Sequence, residues 1–309
     1  MDKVSVIIPT YNCLSYLPKS IGSILEQDHD DFEIILVDDN SCDGTGEFLQ
    51  KWRQAEPRIR VVTTSGVGAS QARNLGIEQA NGKYIAFLDA DDFWCKNKLS
   101  TQVQLHKQHP ELALSFTNYN HLTEDYDVIV DCFRYWAQFQ GRDDDYIVLD
   151  KPLDFILANN IIGTSTVMIR ASFLDKSHLF DPTLTYCEDW ELWLRLCESH
   201  PIAAINSIQT GYLMRPGSIT KTDSKRLEHL ACIDSILEKY QQHESSISSK
   251  SLRIAKSRLL EGYADYHRGL NEYLYAIRFG LASMFTYPQM RKIRSILGDC
   301  KRTVLPQQR

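Results

Sequence analysis

Long apolar runs are missing from this chain. None of its 309 residues falls in a stretch approaching the ~20 that span a bilayer as a helix, so a transmembrane helical architecture is set aside. The opening MDKVSVIIPTYN does not read as a secretory leader, because its apolar run is short, stops at Pro9 and lacks a small-residue cleavage site. Paired cysteines are also lacking. The eight cysteines (Cys13, Cys42, Cys95, Cys132, Cys187, Cys197, Cys232, Cys300) include no CxxC and no His partner at zinc spacing, which points to free thiols in a reducing cytoplasm. A full dinucleotide fingerprint is absent: in SGVGASQARNLGI, Gly66 and Gly68 open a helix, but Gln71 stands where GxGxxG needs its third glycine. Glycine and proline nearly vanish after about Asp223, and the remainder has a helical pattern.

Charge is short on one side as well. The net −6 divides unevenly: residues 221–309 hold 16 Lys and Arg against 9 Asp and Glu, while residues 1–220 hold 18 against 31. An acidic front and a basic tail imply different tasks. The tail suits either an anionic surface, such as a membrane or a lipid-linked acceptor, or a set of solvated helices with no single basic face.

What is present is an alternation. Val4, Val6, Ile7 and Ile8 predict a buried strand; residues 32–37, 59–62, 84–88 and 112–116 predict more, with helical spacing between them. With 43% hydrophobic residues the chain can bury a full core. The expected architecture is α/β: a mostly parallel Rossmann-like sheet flanked by helices, with a C-terminal α-helical appendage. Residues 1–220 are expected to form the main domain, 1–119 as its ligand-binding half and 120–220 as its second half, with a loop-like insertion at 120–150. Residues 221–309 form the appendage. There, stripes such as Leu227, Leu230, Ile233, Leu237 and Leu274, Ile277, Leu281 predict a hairpin or small bundle that covers its own apolar faces, with 301–309 frayed.

In sheets of this kind ligands bind outside the carboxyl ends of the strands. Three strand ends carry polar residues to that edge: Pro9 to Asn12, Asp38 to Ser41, and Asp89 to Asp92 in KYIAFLDADDFW. Carboxylates this close repel unless a cation sits among them, and oxygen ligands suit Mg²⁺ or Mn²⁺. The alternative for Asp89 to Asp92 is an acidic helix cap. In CEDWELWLRLCESHP, Trp190, Trp193, Leu194 and Cys197 set a helix beginning near Glu188 or Asp189. Acids there either complement the helix dipole or present a general base to the cleft.

The segments VSVIIPTYN, IILVDDNSCDGT, SGVGASQARNLGI, YIAFLDADD and CEDWELWLRL, in that order, resemble the inverting family 2 glycosyltransferases with their GT-A nucleotide-sugar-binding fold. The likeness covers about residues 3–220. It implies that Pro9, Tyr11 and Asp39 hold the nucleoside, with Arg73 and Asn74 near the nucleotide pocket. Asp89 would lie by the ribose and at the metal, Asp91 on a Mn²⁺ or Mg²⁺ ion, and Asp189 would be the base, with Glu188 as its nearest alternative. For Arg73 a helix-surface ion pair is the competing reading. Family members often carry His in the stretch matching GYLMRPGSIT, where this chain has Arg215. Arginine cannot ligate a cation but pairs with phosphate in a forked contact, so Arg215 is expected on the diphosphate and fewer protein ligands on the metal.

The implied partners are a nucleotide sugar, UDP-linked by analogy with the family, and a glycan, lipid-linked or other hydroxyl acceptor. No nucleic acid is expected. The implied location is the cytoplasm, with peripheral attachment to the inner face of the membrane through the basic tail. Two rivals are a non-catalytic nucleotide-sugar-binding scaffold and a DxD phosphatase. The phosphatase pattern places its nucleophilic Asp early in the chain and has Thr or Val where this chain has Phe93.

Overall fold

β-Branched and aromatic residues concentrate in the segments that become the central strands, and these are buried on both faces. The computed structural model describes residues 2–136, 138–142, 144–149, 151–177, 179–215, 223–242 and 247–304. The first half alternates strand and helix: β1 (Val4–Thr10), α1 (Leu17–Leu25), β2 (Phe32–Asp38), α2 (Thr45–Ala55), β3 (Ile59–Thr63), α3 (Ala69–Gln79) and β4 (Tyr84–Phe87). These strands are parallel, with Val6 opposite both Ile34 and Ala86. Small residues on α3 let it lie close to the sheet. A Cβ on Gly76 would stand 2.5 Å from Ile7 Cγ2, so glycine sets that distance.

The second half is mixed rather than mostly parallel. It comprises β5 (Phe93–Trp94), α4 (Lys98–Gln108), β6 (Leu114–Leu122), β7 (Val128–Asp131), β8 (Tyr146–Leu149), α5 (Pro152–Ala158), β9 (Val167–Arg170), α6 (Glu188–Ser199) and β10 (Ile202–Leu213). The sheet order is β3-β2-β1-β4-β9-β6-β10-β5, with β7 on β6 and β8 on β10. Strand β9 enters between β4 and β6 and runs antiparallel to both. The reason is where it begins: the Ser165 hydroxyl accepts from the Asp89 N–H at 3.0 Å, so the chain starts β9 at the carboxyl edge and must run away from it. Strand β10 is long and is broken in register by a bulge around residues 206–209. The 120–150 segment is more ordered than a loop, because β6 and β7 pair and Phe133 and Phe139 stack at 4.0 Å.

By contacts the chain divides into two compact units, Met1–Pro152 with Ile161–Thr183 and Glu188–Arg215, and Leu153–Asn160 with Leu184–Cys187 and Pro216–Arg309. In the second, α7 (Asp223–Gln241), α8 (Ser249–Gly269), α9 (Tyr273–Thr286) and α10 (Met290–Val304) pack in succession. Leu230 fills the space left by Gly262, and Leu237, Leu259 and Ala276 are buried. Residues 301–304 continue α10 instead of fraying; 305–309 lie outside the described residues. The expectation that the stripes cover one another fails on α9, where Leu274 and Leu281 are 71% and 42% exposed. Among the described residues no helix is long and apolar enough to cross a membrane.

Candidate active site

The β1 and β2 ends are laced together by their own turn residues. Asn12 and Asn40 adopt left-handed backbone conformations (φ 49° and 67°), which asparagine tolerates. The Asn12 N–H donates to Ser41 Oγ at 2.9 Å, and the Cys42 N–H donates to Asn12 Oδ1 at 2.8 Å. This leaves the Tyr11 ring 60% exposed, beside the half-buried Pro9.

Asp39 is buried next to this turn and organises the glycine-rich entry to α3. It accepts from the Thr64 hydroxyl, from the Val67 N–H at 2.7 Å and from the Gly68 N–H at 2.8 Å. Burial alone would raise its pKa, but these donors outweigh it and hold the carboxyl below the usual range. It is therefore an anion fixed just beyond the carboxyl end of β2.

Arg73 is not a surface ion pair. It is buried on α3 and spans two acids far apart in sequence: Nη2 donates to Asp89 Oδ1 at 2.9 Å and Nη1 to Glu188 Oε1 at 2.8 Å. Burial disfavours its charge, yet Asp89 and Glu188 raise its pKa further. Its neighbour Asn74 faces inward. Its side chain donates to the Phe180 carbonyl at 2.8 Å and accepts from the Phe180 N–H at 3.0 Å, so it clamps a loop.

The acids after β4 divide into distinct environments. Asp91 lies 2.6 Å from Arg215 Nε, a charge contact whose N–H is not aimed at the carboxylate. Burial and then the charge of Asp89 raise its pKa, and Arg215 offsets this in part. Asp92 is buried, accepting from Ser165 Oγ at 2.5 Å and from the Leu213 N–H at 3.0 Å. Burial, with Asp89 and Asp91 nearby, pushes it well up. Asp92 thus ties the acidic turn to β9 and to the end of β10, two residues before Arg215.

At the start of α6, Asp189 accepts from the Thr164 hydroxyl at 2.7 Å. Glu188 is occupied by Arg73, and burial followed by Asp189 raises its pKa. Of the two acids, Asp189 is the one held by a neutral donor and Glu188 the one held by a cation. Thr164 and Ser165 were not legible as site residues. They lie in IIGTSTVMIR, which by pattern is a strand approach, and nothing in its spacing signals a contact with residues 89, 92 or 189.

A hard divalent cation fits this cluster in a limited way. The donors are oxygens, Asp91 is crowded by a like charge, and a guanidinium already rests against it as a cation. Among the described residues no group of three or more His, Cys, Asp or Glu side chains converges on one point. The oxygens of Asp89 and Asp91 are donors of the kind that Mg²⁺ and Mn²⁺ take, one or two carboxylates with the shell completed by phosphate and water. A cavity of about 480 Å³ lined by Thr101, Gln104, Arg142, Asp144 and Asn206 shares no residue with the cluster.

The family model described as "Glycosyl transferase family 2" matches residues 5–170. The putative teichuronic acid biosynthesis glycosyltransferase TuaG of Bacillus subtilis is 37% identical over 194 residues, covering 62% of this chain and 71% of that protein. The Escherichia coli UDP-Glc:alpha-D-GlcNAc-diphosphoundecaprenol beta-1,3-glucosyltransferase WfgD is 30% identical over 230 residues, 73% of this chain and 82% of that one. Other relatives are longer, and the chain spans 35% and 47% of two Rickettsia glycosyltransferases. In fold it is similar to the crystal structure of S. aureus TarS 1-349 in complex with UDP-GlcNAc, with a TM-score of 0.65 at 18% identity, over 95% of this chain and 83% of that one. The strand-end cluster, the matching family model and these relatives lead to one assignment: the chain belongs to glycosyltransferase family 2, has the GT-A fold, and is a glycosyltransferase.

Proposed function

We propose that the protein transfers a sugar from a nucleoside diphosphate donor, a UDP-sugar, to an acceptor hydroxyl with inversion at the anomeric carbon. The observation that carries the reading is the Arg73 bridge. It holds Asp89, from the nucleotide side, and Glu188, beside the base, within one guanidinium's reach. Asp189 supports the reading too, because its charge acts on the same Arg73 and its carboxylate accepts from Thr164.

In this mechanism Tyr11 stacks on the base while Asp39, kept ionised by its donors, accepts a base or ribose hydrogen. Asp91, with Asp89, would hold a divalent cation, which when bound neutralises charge developing on the leaving diphosphate. Arg215 pairs with a diphosphate oxygen. Asp189 accepts the proton of the acceptor hydroxyl as its oxygen bonds to the anomeric carbon. The bond from that carbon to the diphosphate oxygen breaks on the opposite face. No acid is required to protonate the leaving group, since a nucleoside diphosphate departs as an anion.

The relatives' names support a place in cell-surface polysaccharide synthesis, with an acceptor carried on a lipid diphosphate. The test is UDP release from a panel of UDP-sugars with Mn²⁺, with Asp91→Ala and Asp189→Asn as controls. Turnover in wild type and its loss in both variants is the expected result. Equal slow release in all three would reduce the protein to a nucleotide-sugar binder.

A further inference from the structure

Helices α9 and α10 both turn a stripe of large apolar side chains outward, and α10 also turns two charges inward, the reverse of what a solvated helix does. On α10, Met290, Ile293, Leu297 and Val304 are 81%, 37%, 62% and 77% exposed, and their spacing aligns them in one stripe. The inward side of the same helix carries Lys292 and Asp299, 4% and 0% exposed. Lys292 Nζ donates to the Ser257 hydroxyl and to the Tyr287 carbonyl, while Asp299 accepts two 2.7 Å bonds from Arg268. These buried polar contacts fix the rotation of α10, so its stripe cannot roll into the bundle without stranding a charge.

A second stripe lies beside it. On α9, Leu274, Leu281 and Phe285 are 71%, 42% and 82% exposed. Lys292 reaches the Ser283 carbonyl, and a Cβ on Gly280 would meet Ile296 at 3.0 Å, the pairing order of an antiparallel hairpin. With those residues facing one another, the 100° step per residue carries both stripes to the same side. Arg278 borders this face on α9, and Arg294 and Lys301 border it on α10. Among the described residues no ion pair engages any of these three cations. Neither helix exposes an acid, since Asp299 is buried.

An apolar stripe with a cationic margin and no anion matches one kind of partner. We propose that the α9–α10 face docks on an anionic lipid bilayer, with Leu281, Phe285, Met290 and Leu297 at the acyl boundary and the bordering cations against lipid phosphates. A second copy of the chain fits less well, because pairing on this face would oppose two positive margins with no exposed acid between them. The docking does not depend on which sugar is transferred, or on whether the proposed mechanism holds.

The test is co-sedimentation of the full chain with vesicles of phosphatidylcholine alone and of phosphatidylcholine mixed with phosphatidylglycerol, at low and high salt. Binding should favour the anionic vesicles by at least about tenfold and weaken with salt. Arg294→Glu with Lys301→Glu should weaken it about 20-fold or more, and Phe285→Asp with Leu297→Asp should abolish it. Because these residues are exposed, both variants should keep the wild-type Tm and UDP release with a soluble acceptor. Equal binding to both vesicle types, or unchanged binding by the variants, overturns the proposal. So does a dimer, by light scattering, that Leu297→Asp dissociates while wild type ignores vesicles.

Discussion

Removing Arg215 tests how Asp91 is kept available for a cation. In the structure its guanidinium lies 2.6 Å from the carboxylate, the two side chains being 32% and 19% exposed. Unit charges about 4 Å apart attract by about 4 kcal/mol at an effective dielectric near 20. Desolvation and side-chain ordering cancel much of that, leaving about 1–2 kcal/mol net. A divalent ion must displace this contact to reach Asp91, so the contact weakens metal binding by about 5- to 30-fold. A diphosphate that draws Arg215 away removes the penalty. Wild type should then bind Mn²⁺ weakly alone and more tightly with UDP, and by linkage UDP should gain the same factor from Mn²⁺. Titration calorimetry of Mn²⁺ with and without UDP reads both quantities. Arg215→Ala should bind Mn²⁺ about tenfold more tightly without nucleotide, show a smaller UDP effect, and lose affinity for UDP itself. If Arg215→Ala binds Mn²⁺ no better than wild type in the absence of nucleotide, the competition between guanidinium and metal is wrong. Tight Mn²⁺ binding by wild type without nucleotide would refute it too.

Other consequences follow from the same contacts. Asp189→Asn should lower kcat by about 10²- to 10⁴-fold and leave UDP affinity intact, and Thr164→Val should lower kcat less, with Thr164→Ser restoring it; a matching fall in UDP affinity would count against the base assignment. Arg73→Met leaves two half-buried acids, 28% and 16% exposed, without their cation and should cost about 2–3 kcal/mol in urea unfolding, so a loss below about 1 kcal/mol would show the bridge to be dispensable. Glu33 is buried, which by itself raises its pKa, but Ser5, the Asn81 N–H, Lys3 and Arg60 overcome this and lower it from 4.5 to about 2. Its contribution, on the order of 2–3 kcal/mol, is full above pH 4.5 and lost as pH falls through about 2. Glu33→Gln should therefore be less stable than wild type at pH 7, with the gap in Tm narrowing on acidification; a constant gap would place the effect in packing.

The sequence by itself determined the frame. Apolar runs such as residues 4–8 and 84–87 are too short for helices and too apolar for exposed strands, so they had to be interior strands, and each delivers polar residues to its carboxyl end. That periodicity is local, and so was the start of α6 with Glu188 and Asp189. Tertiary structure decided which acid does what. Asp89, Asp91 and Asp92 are equivalent as letters, yet one meets Arg73, one Arg215 and one Ser165, because α3, the end of β10 and the start of β9 converge there. The direction of β9, the inward Asn74 and the Thr164 contact depend on how a strand is threaded, which hydrophobic spacing does not encode. The outward stripes of α9 and α10 belong to the same class. Their residues were readable as helical faces, but which face the bundle keeps was set by the burial of Lys292 and Asp299, and a buried charge leaves no periodic trace in the chain.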